Sequence, residues 1–317
     1  MPILPRYLKS GDTVGLVCPA GRMSLARMRT CLRILEQEWG FRVRRGQTLG
    51  AGDGYFSGTD AERAADLQEM LDDDSVRAVL CARGGYGMTR IIDLINFSRF
   101  VRHPKWVIGF SDITVLHMHL YAQYGVVTLH APMAAAFQQG GWRKPSVRSL
   151  HQALTGHVYQ YASPAHPFDR PGTGQGLLVG GNLALLAHLV GSPSFPRTEG
   201  NILFLEEVGE TLYNIDRMMR QLLRSGQLER LAGLVIGGFT DSRDTERPFG
   251  QTAYEIVRDV VEPFPYPVCF GFPVSHGPEN LALKAGSLHR LFVAEGAVLS
   301  DLSEMPSPRQ QSGRKRR

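Results

Sequence analysis

The sequence predicts a two-domain α/β protein, with a parallel sheet in its first half and a mixed, strand-rich α/β domain in its second half. The chain has 317 residues, a length that favours two domains. Short apolar segments alternate with helical patterns through the first half, which is typical of a parallel sheet covered by helices on both faces. The order of strands and helices is less regular in the second half, which predicts a mixed sheet there.

The first half contains the clearest strand and helix signals. The predicted strands are 13–18, 77–81, 106–110 and 126–130. A helical stripe of Met28, Leu32 and Leu35 follows the first strand, and a capping box at 59–62 begins the next helix. A further helix is predicted from about Ile113 to Tyr124. This alternation predicts a flavodoxin- or Rossmann-like sheet, in which ligands bind at the carboxyl ends of the strands.

The second half contains three further helical patterns and several short strands. The predicted helices are 183–190, 214–223 and 252–261, and the predicted strands are 202–205, 234–238 and short segments after 267. Glycine and proline are frequent from 140 to 174, which indicates a connecting region. We therefore predict an N-terminal domain over 1–140, a linker over 141–175, a C-terminal domain over 176–305 and a disordered basic tail over 306–317.

The formal net charge of +5 does not indicate a nucleic-acid-binding protein. The tail holds five cations and no acid from 307 to 317, and the rest of the chain has a net charge of zero. A phosphate-binding groove needs local clustering of cations, which the rest of the sequence lacks. No apolar run approaches the length of a membrane span, and the N-terminus lacks the apolar core of a secretory signal. We expect a soluble cytoplasmic protein.

The four cysteines, Cys18, Cys31, Cys81 and Cys269, form no C-x-x-C pair. Three of them lie in apolar, strand-like segments, so we expect buried, reduced thiols. No group of histidines and cysteines has zinc-ligand spacing, so no structural metal is predicted.

A glycine-rich turn follows the strand that ends at Cys81. In Gly84-Gly85-Tyr86-Gly87, the absence of side chains would allow backbone N–H groups to approach an anion or an oxyanion. The alternative is an ordinary tight turn between a strand and a helix. The G-x-G-x-x-G spacing of a dinucleotide site is absent.

Ser111 occupies the position of a nucleophile, directly between a predicted strand and a predicted helix. The surrounding Gly109-Phe110-Ser111-Asp112-Ile113 lacks the second glycine of G-x-S-x-G. Position alone also fits a simpler role, in which Ser111 or Asp112 caps the helix.

A serine nucleophile requires a base and an acid that orients the base. Glu206 and Glu207 follow the apolar strand 203–205, and His276 lies in a glycine-containing turn after another strand. Each has a simpler interpretation as well, because paired acids at a strand end and a histidine in a loop are often solvent-exposed.

Together, these segments resemble the LD-carboxypeptidase family, the S66 serine peptidases. The matching segments are 7–14 (YLKSGDTV), Pro19-Ala20-Gly21, Arg83-Gly84-Gly85-Tyr86-Gly87, 105–114 (KWVIGFSDIT), Gly180-Gly181-Asn182-Leu183, Leu205-Glu206-Glu207, Ile215-Asp216-Arg217 and His276-Gly277. They occur in the order typical of the family, and only the tail from about 306 lies outside the resemblance.

The resemblance implies a catalytic triad of Ser111 as nucleophile, Glu206 as orienting acid and His276 as base. The choice of Glu206 over Glu207 depends on the alignment at the strand end. The resemblance also implies an oxyanion hole formed by the backbone N–H groups of Gly85 and Asp112. The implied activity is hydrolysis of an amide between an L-centre and a terminal D-amino acid, without a metal or an organic cofactor. The implied substrate is a cytoplasmic muropeptide tetrapeptide, which loses D-Ala during cell-wall recycling.

A carboxypeptidase must also bind a free terminal carboxylate, for which a planar guanidinium is well suited. Arg83, beside the glycine turn, is the first candidate, and with Gly84 it forms the predicted substrate-binding pair. Arg217 is a weaker candidate because Asp216-Arg217 could be a structural pair on a helix.

Three positions depart from the family pattern. Ser275 and Ala131 stand where glycine is common, and Lys284-Ala285 replaces a Pro-Leu pair. None of these changes removes a predicted catalytic atom, but they could alter the histidine turn or the wall of the substrate pocket.

Two other functions are compatible with the same sequence. One is an immunity peptidase that cleaves peptidyl-nucleotide antibiotics of the microcin C type, for which Trp142 could offer an aromatic surface to the base. The other is a muropeptide-binding protein without catalysis, against which the intact triad argues. The family resemblance also implies a homodimer. The residue before the cleaved bond, lysine or diaminopimelate, is not determined by the sequence.

Overall fold

A computed structural model of the protein describes residues 2–52, 54–138 and 140–303. Its strands are β1 (Thr13–Val17), β2 (Arg42–Arg45), β3 (Val76–Cys81), β4 (Trp106–Gly109), β5 (Thr128–His130), β6 (Gln160–Ser163), β7 (Gly172–Asn182), β8 (Ile202–Val208), β9 (Gly233–Thr240), β10 (Val268–Cys269), β11 (Leu283–Ala285), β12 (Leu288–Ala294) and β13 (Gly296–Asp301). Its α-helices are α1 (Leu25–Arg33), α2 (Asp60–Asp72), α3 (Met88–Ile91), α4 (Ser98–Arg102), α5 (Thr114–Tyr124), α6 (Pro145–Leu154), α7 (Leu183–Leu189), α8 (Leu212–Arg224) and α9 (Ala253–Val261). The predicted tail, 306–317, lies outside the described residues.

The first sheet has the strand order β11-β5-β4-β3-β1-β2. Strands β1 to β5 pair in parallel, as the alternation of strands and helices predicts. All four residues of β4 are buried, which explains its continuous apolar sequence. The carboxyl ends of β3 and β4 therefore lie side by side, and these are the strands that precede the glycine turn and Ser111.

The second sheet has the order β10-β9-β8-β7-β12-β13-β6. Its β7 to β10 portion is parallel, whereas β7, β12, β13 and β6 pair antiparallel. The predicted fold class, a parallel N-terminal sheet with a mixed C-terminal sheet, is confirmed.

Two segments from outside the predicted N-terminal domain pack against or pair with the first sheet. The predicted linker, 141–175, contains α6, and Val147, Leu150 and Leu154 of this helix are buried in one core with β1 and β4 of the first sheet. Strand β11 comes from the C-terminal half but pairs antiparallel with β5 of the first sheet. The exact domain boundaries stay predictions.

The cysteine prediction is confirmed, because all four thiols are buried and free. Burial raises the pKa of Cys18 to about 12 and raises that of the other three as well. Within the described segments, no helix combines the length and the apolar character needed to cross a membrane. Those segments also contain no cluster of three metal-ligating side chains.

Candidate active site

Ser111 lies directly beyond β4, in a backbone conformation that side chains rarely adopt. Its φ of +62° is in the left-handed region, where only one other non-glycine residue of the described chain, Asp241, is found. Such strain is typical of functional positions and of nucleophiles on strand-to-helix turns. The capping alternative is not observed, since no side chain caps the 3₁₀ turn Ser111–Ile113 or α5.

The glycine turn after β3 lies directly against Ser111. A Cβ atom at Gly84 would stand 3.0 Å from the Cβ and 3.2 Å from the Oγ of Ser111. Gly85 adopts a φ of +102°, and its N–H has no acceptor among the described residues. The N–H of Asp112 is in the first turn of a 3₁₀ helix, where donors lack an intrahelical partner. Both predicted oxyanion donors therefore belong to turns that meet at the serine.

The side chain of Asp112 connects these two turns. Its Oδ2 accepts a hydrogen bond of 2.8 Å from the N–H of Met88, the first residue of α3. The residue is only 1% exposed, and its Oδ1 has no partner in the described structure. Burial raises the pKa of the Asp112 carboxyl to about 6, against the opposing effects of the Met88 hydrogen bond and the charge of Arg63.

His276 is hydrogen-bonded to Glu206. Its Nδ1 lies 2.6 Å from Oε2 of Glu206, which is fully buried in β8, while 18% of the His276 side chain is exposed. A carboxylate at Nδ1 favours the tautomer with the proton on that nitrogen, which leaves Nε2 free to accept one. The imidazole thus has the orientation and the tautomer that a general base requires.

Two glycines of β9 allow the His276 loop to approach β8. The N–H of Gly238 donates to the carbonyl of Val274 at 2.9 Å, and a Cβ atom at Gly237 would lie only 2.1 Å from that carbonyl oxygen. Because neither residue has a side chain, the chain from Val274 to His276 lies directly over Glu206. The glycine pair inside the predicted strand 234–238 is the sequence signal of such an approach.

Glu207 has a different set of partners. Its carboxylate accepts hydrogen bonds from the Asn182 side chain at 3.0 Å and from the N–H of Ala184 at 2.7 Å. A register shift between β8 and β9 lies at this point of the strand, where both glutamates are buried. Burial raises the pKa of Glu207 to about 7. Glu207 therefore stabilises the start of α7, whereas Glu206 is the acid bonded to the histidine.

No hydrogen bond joins Ser111 to His276 in the described structure. Phe110, which precedes Ser111 in the chain, has its ring centroid 4.7 Å from that of His276. Catalytic hydrogen bonds are often long in unliganded enzymes and shorten when substrate binds. A strained serine next to two free N–H donors, and an imidazole oriented by a carboxylate, are the groups that acyl transfer requires.

A cavity of about 430 Å³ opens beside His276. Its lining comprises Met23, Arg27, Ala82, Arg83, Phe110, Pro132, Met133, Ala135, Ala136, Gln138, Lys144, Ser146, Ser275, His276, Gly277, Pro278 and Asn280. The lining includes three cationic side chains and no aspartate or glutamate. Sequence reasoning found Arg83 and His276 in this group but missed Lys144, Ser146 and Asn280, which have no motif of their own.

The two arginine candidates differ in their surroundings. Arg83 lines the cavity, and its Nη1 donates to the carbonyl of Arg22 at 2.6 Å, which fixes the guanidinium beside the glycine turn. Arg217 does not line the cavity and donates to Asn214 on its own helix. Asp216 pairs with Arg220 at 3.3 Å, so the supposed Asp216–Arg217 pair is wrong.

Trp142, considered above as an aromatic surface for a base, does not line this cavity. The residue is 40% exposed, and the guanidinium of Arg143 lies over its ring at 5.6 Å from the centroid.

Two family models match the chain. One, described as the LD-carboxypeptidase N-terminal domain, matches residues 14–131, and the other, the LD-carboxypeptidase C-terminal domain, matches residues 175–291. The chain belongs to the LD-carboxypeptidase family. The family resemblance found in the sequence is thus confirmed, and membership of this family supports peptidase activity.

Individual members of the LD-carboxypeptidase family match almost end to end. A probable murein peptide carboxypeptidase of Bacillus subtilis is 36% identical over 294 residues, which are 92% of each chain. The microcin C7 self-immunity protein MccF of Escherichia coli is 27% identical over 322 residues, covering 90% of this chain and 92% of the relative. The crystal structure of muramoyltetrapeptide carboxypeptidase from Oxalobacter formigenes has a TM-score of 0.83 at 26% identity, covering 93% of this chain and all of that one.

Proposed function

We propose that the protein is a serine-type LD-carboxypeptidase that releases terminal D-Ala from muropeptide tetrapeptides. The observation that carries the proposal is the hydrogen bond from His276 to the buried Glu206, which occurs together with a serine held at positive φ. The names of the relatives support a murein peptide as the substrate class. The cytoplasmic recycling role and the homodimer are part of this proposal and are implied by family resemblance.

In the proposed reaction, Nε2 of His276 takes the proton of Ser111 as Oγ attacks the carbonyl carbon before D-Ala. Glu206 keeps the imidazole in place and stabilises the imidazolium that forms. The C–N bond then breaks, and His276 transfers the proton to the departing D-Ala nitrogen. Water attacks the acyl-enzyme with His276 again as base, which restores the serine and releases the tripeptide.

The negative charge of the tetrahedral intermediate would develop near the two turns that meet at Ser111. The N–H groups of Gly85 and Asp112 are the proposed donors, and removing one such donor typically costs about 3–4 kcal/mol of transition-state stabilisation. The guanidinium of Arg83 and the backbone at Gly84 are proposed to hold the terminal carboxylate, because Arg83 lies in the cavity next to the same turn.

The test is D-Ala release from a purified L,D-linked muropeptide tetrapeptide. We expect release by the wild type and a roughly 10³- to 10⁶-fold lower kcat for Ser111→Ala, since a triad acts as a unit. Ser98→Ala, at an exposed position in α4, is the matched control and should retain full activity.

The same assay separates the two alternatives. A peptidyl-nucleotide of the microcin C type, cleaved in preference to the tetrapeptide, would favour the immunity peptidase, and the 27% identical MccF relative makes this the second candidate. Tetrapeptide binding without any turnover, unchanged by Ser111→Ala, would favour a binding protein.

A further inference from the structure

The side chain of Ser275 bonds twice to the backbone of the turn that contains His276. Its Oγ accepts a hydrogen bond of 2.9 Å from the N–H of Gly277 and donates one of 2.8 Å to the carbonyl of Glu279. The first bond joins the residues on either side of His276, as serine hydroxyls do when they bond the backbone two residues ahead. One hydroxyl therefore holds this turn at two points.

The backbone of the segment 275–280 has no other internal support. Within the described part of the chain, no backbone-to-backbone hydrogen bond involves these six residues. On one side of the segment, the N–H of Gly238 donates to the carbonyl of Val274 at 2.9 Å. On the other side, the N–H of Leu281 donates to the carbonyl of Pro273 at 2.9 Å. Between these two anchors, the serine hydroxyl provides the hydrogen bonds that the described structure gives to the backbone.

The surroundings of Ser275 favour a role in the turn over contact with a ligand, although the residue lines the cavity. A hydroxyl has a single proton to donate, and the carbonyl of Glu279 accepts the one from Ser275. Ser275 is buried, and a Cβ atom at Gly238 would stand only 2.6 Å from its Cβ atom. The side chain thus lies directly against β9, which limits its freedom to turn towards a bound molecule.

The position of this turn determines where Nε2 of His276 points. Glu206 holds the imidazole at the other nitrogen, Nδ1, at 2.6 Å. A hydrogen bond at one atom fixes the direction of a ring only if the backbone that carries the ring is also fixed. Displacement of a reacting group by about 1 Å can lower a rate about 10²-fold, so a loose turn would impair a general base.

We propose that Ser275 is a positioning residue, whose hydroxyl fixes the turn so that the His276 imidazole can accept the proton of Ser111. It acts through His276 and makes no contact with the reacting atoms. This inference rests on the proposed function, because it assigns His276 the role of the base.

The first experiment compares the kinetics of D-Ala release by the wild type and Ser275→Ala, which removes the hydroxyl alone. We expect kcat to fall about 10- to 100-fold and KM to stay within about twofold, since the base is displaced and substrate binding is not. Ser287→Ala is the matched control, because Ser287 is also buried, donates to the carbonyl of Lys284 at 2.9 Å and does not line the cavity. It should lose a comparable part of the free energy of unfolding and keep its kcat. An unchanged kcat in Ser275→Ala, or a raised KM alone, would overturn the positioning role.

Amide hydrogen exchange in the segment 275–280 separates this inference from the proposed function. We expect exchange at least tenfold faster in Ser275→Ala than in the wild type, and no change in Ser287→Ala. If the wild type releases no D-Ala, the proposed function fails, but faster exchange in Ser275→Ala would still support the hydroxyl as the support of the turn. Equal exchange in the wild type and Ser275→Ala would refute the inference even if D-Ala is released.

Discussion

At the residue scale, we propose that one of two neighbouring glutamates serves catalysis and the other serves structure. Glu206 bonds to His276, and its second oxygen has no partner in the described structure, whereas Glu207 is saturated by donors from Asn182, Ala184 and Val208. Their sequence context is almost the same, so only the partner brought by the His276 loop distinguishes them.

This division predicts opposite effects for the same substitution at adjacent positions. Glu206→Gln should lower kcat for D-Ala release by roughly 10²- to 10⁴-fold, since the imidazole loses the carboxylate that fixes its tautomer and stabilises its charge. Glu207→Gln should leave kcat within about tenfold of the wild type. It should instead lower the free energy of unfolding by about 1–3 kcal/mol, because an amide NH₂ would face a donor.

Steady-state kinetics and denaturant unfolding of both variants test this assignment. A loss of kcat in Glu207→Gln as large as in Glu206→Gln would contradict the division of roles.

At the scale of elements, the turns after β3 and β4 are held together by a single buried carboxyl. Asp112 belongs to the turn after β4, and its partner Met88 begins the helix after β3. The two proposed oxyanion donors lie in these same turns, so the bond from Met88 fixes their relative position.

The raised pKa of Asp112 predicts a pH-dependent contribution to stability. The folded carboxyl has a pKa of about 6, above its ordinary value of 3.8, so the folded protein binds a proton more strongly than the unfolded chain. This contribution is complete below pH 4 and is lost as the pH rises through 6. Asp112→Asn removes it, so the variant should gain about 1–3 kcal/mol relative to the wild type between pH 4 and pH 7.5.

Denaturant unfolding at several pH values from 4 to 7.5 measures this difference. Parallel stability curves for the wild type and Asp112→Asn would rule out the proposed titration.

The sequence predicts the individual elements of the site better than the way in which they come together in space. The strand before Ser111 and the turn at Gly84 are local features, and their position at neighbouring strand ends follows from the alternation of strands and helices. The bond between Glu206 and His276 joins residues 70 positions apart and depends on the approach that Gly237 and Gly238 permit. Lys144 and Ser146 line the cavity but lie in the segment 141–175, which its glycine and proline content predicts to be a linker. Their role in the cavity wall could not be predicted, because a wall assembled from distant segments leaves no local sequence pattern.

At the scale of the whole molecule, a buried ion pair connects the two sheets. Lys284 lies in β11, which pairs with β5 of the first sheet, and Asp301 ends β13 of the second. Their side chains are fully buried and 2.7 Å apart. The ammonium also donates to the hydroxyls of Tyr7 and Ser303, so its charge is well satisfied. This accounts for the departure from the family pattern at Lys284.

Removing one partner of this pair should therefore destabilise the whole chain. Lys284→Met leaves the Asp301 carboxylate buried without its counter-charge, and we expect the free energy of unfolding to fall by about 3–5 kcal/mol. The double substitution Lys284→Met with Asp301→Leu should recover most of this loss, since an apolar pair avoids the desolvation of two charges. Arg258→Ala, which removes an exposed pair with Asp259, is the control and should change stability little. Unfolding by urea measures all four proteins. If the double variant were as unstable as Lys284→Met, packing rather than charge would hold β11 on the first sheet.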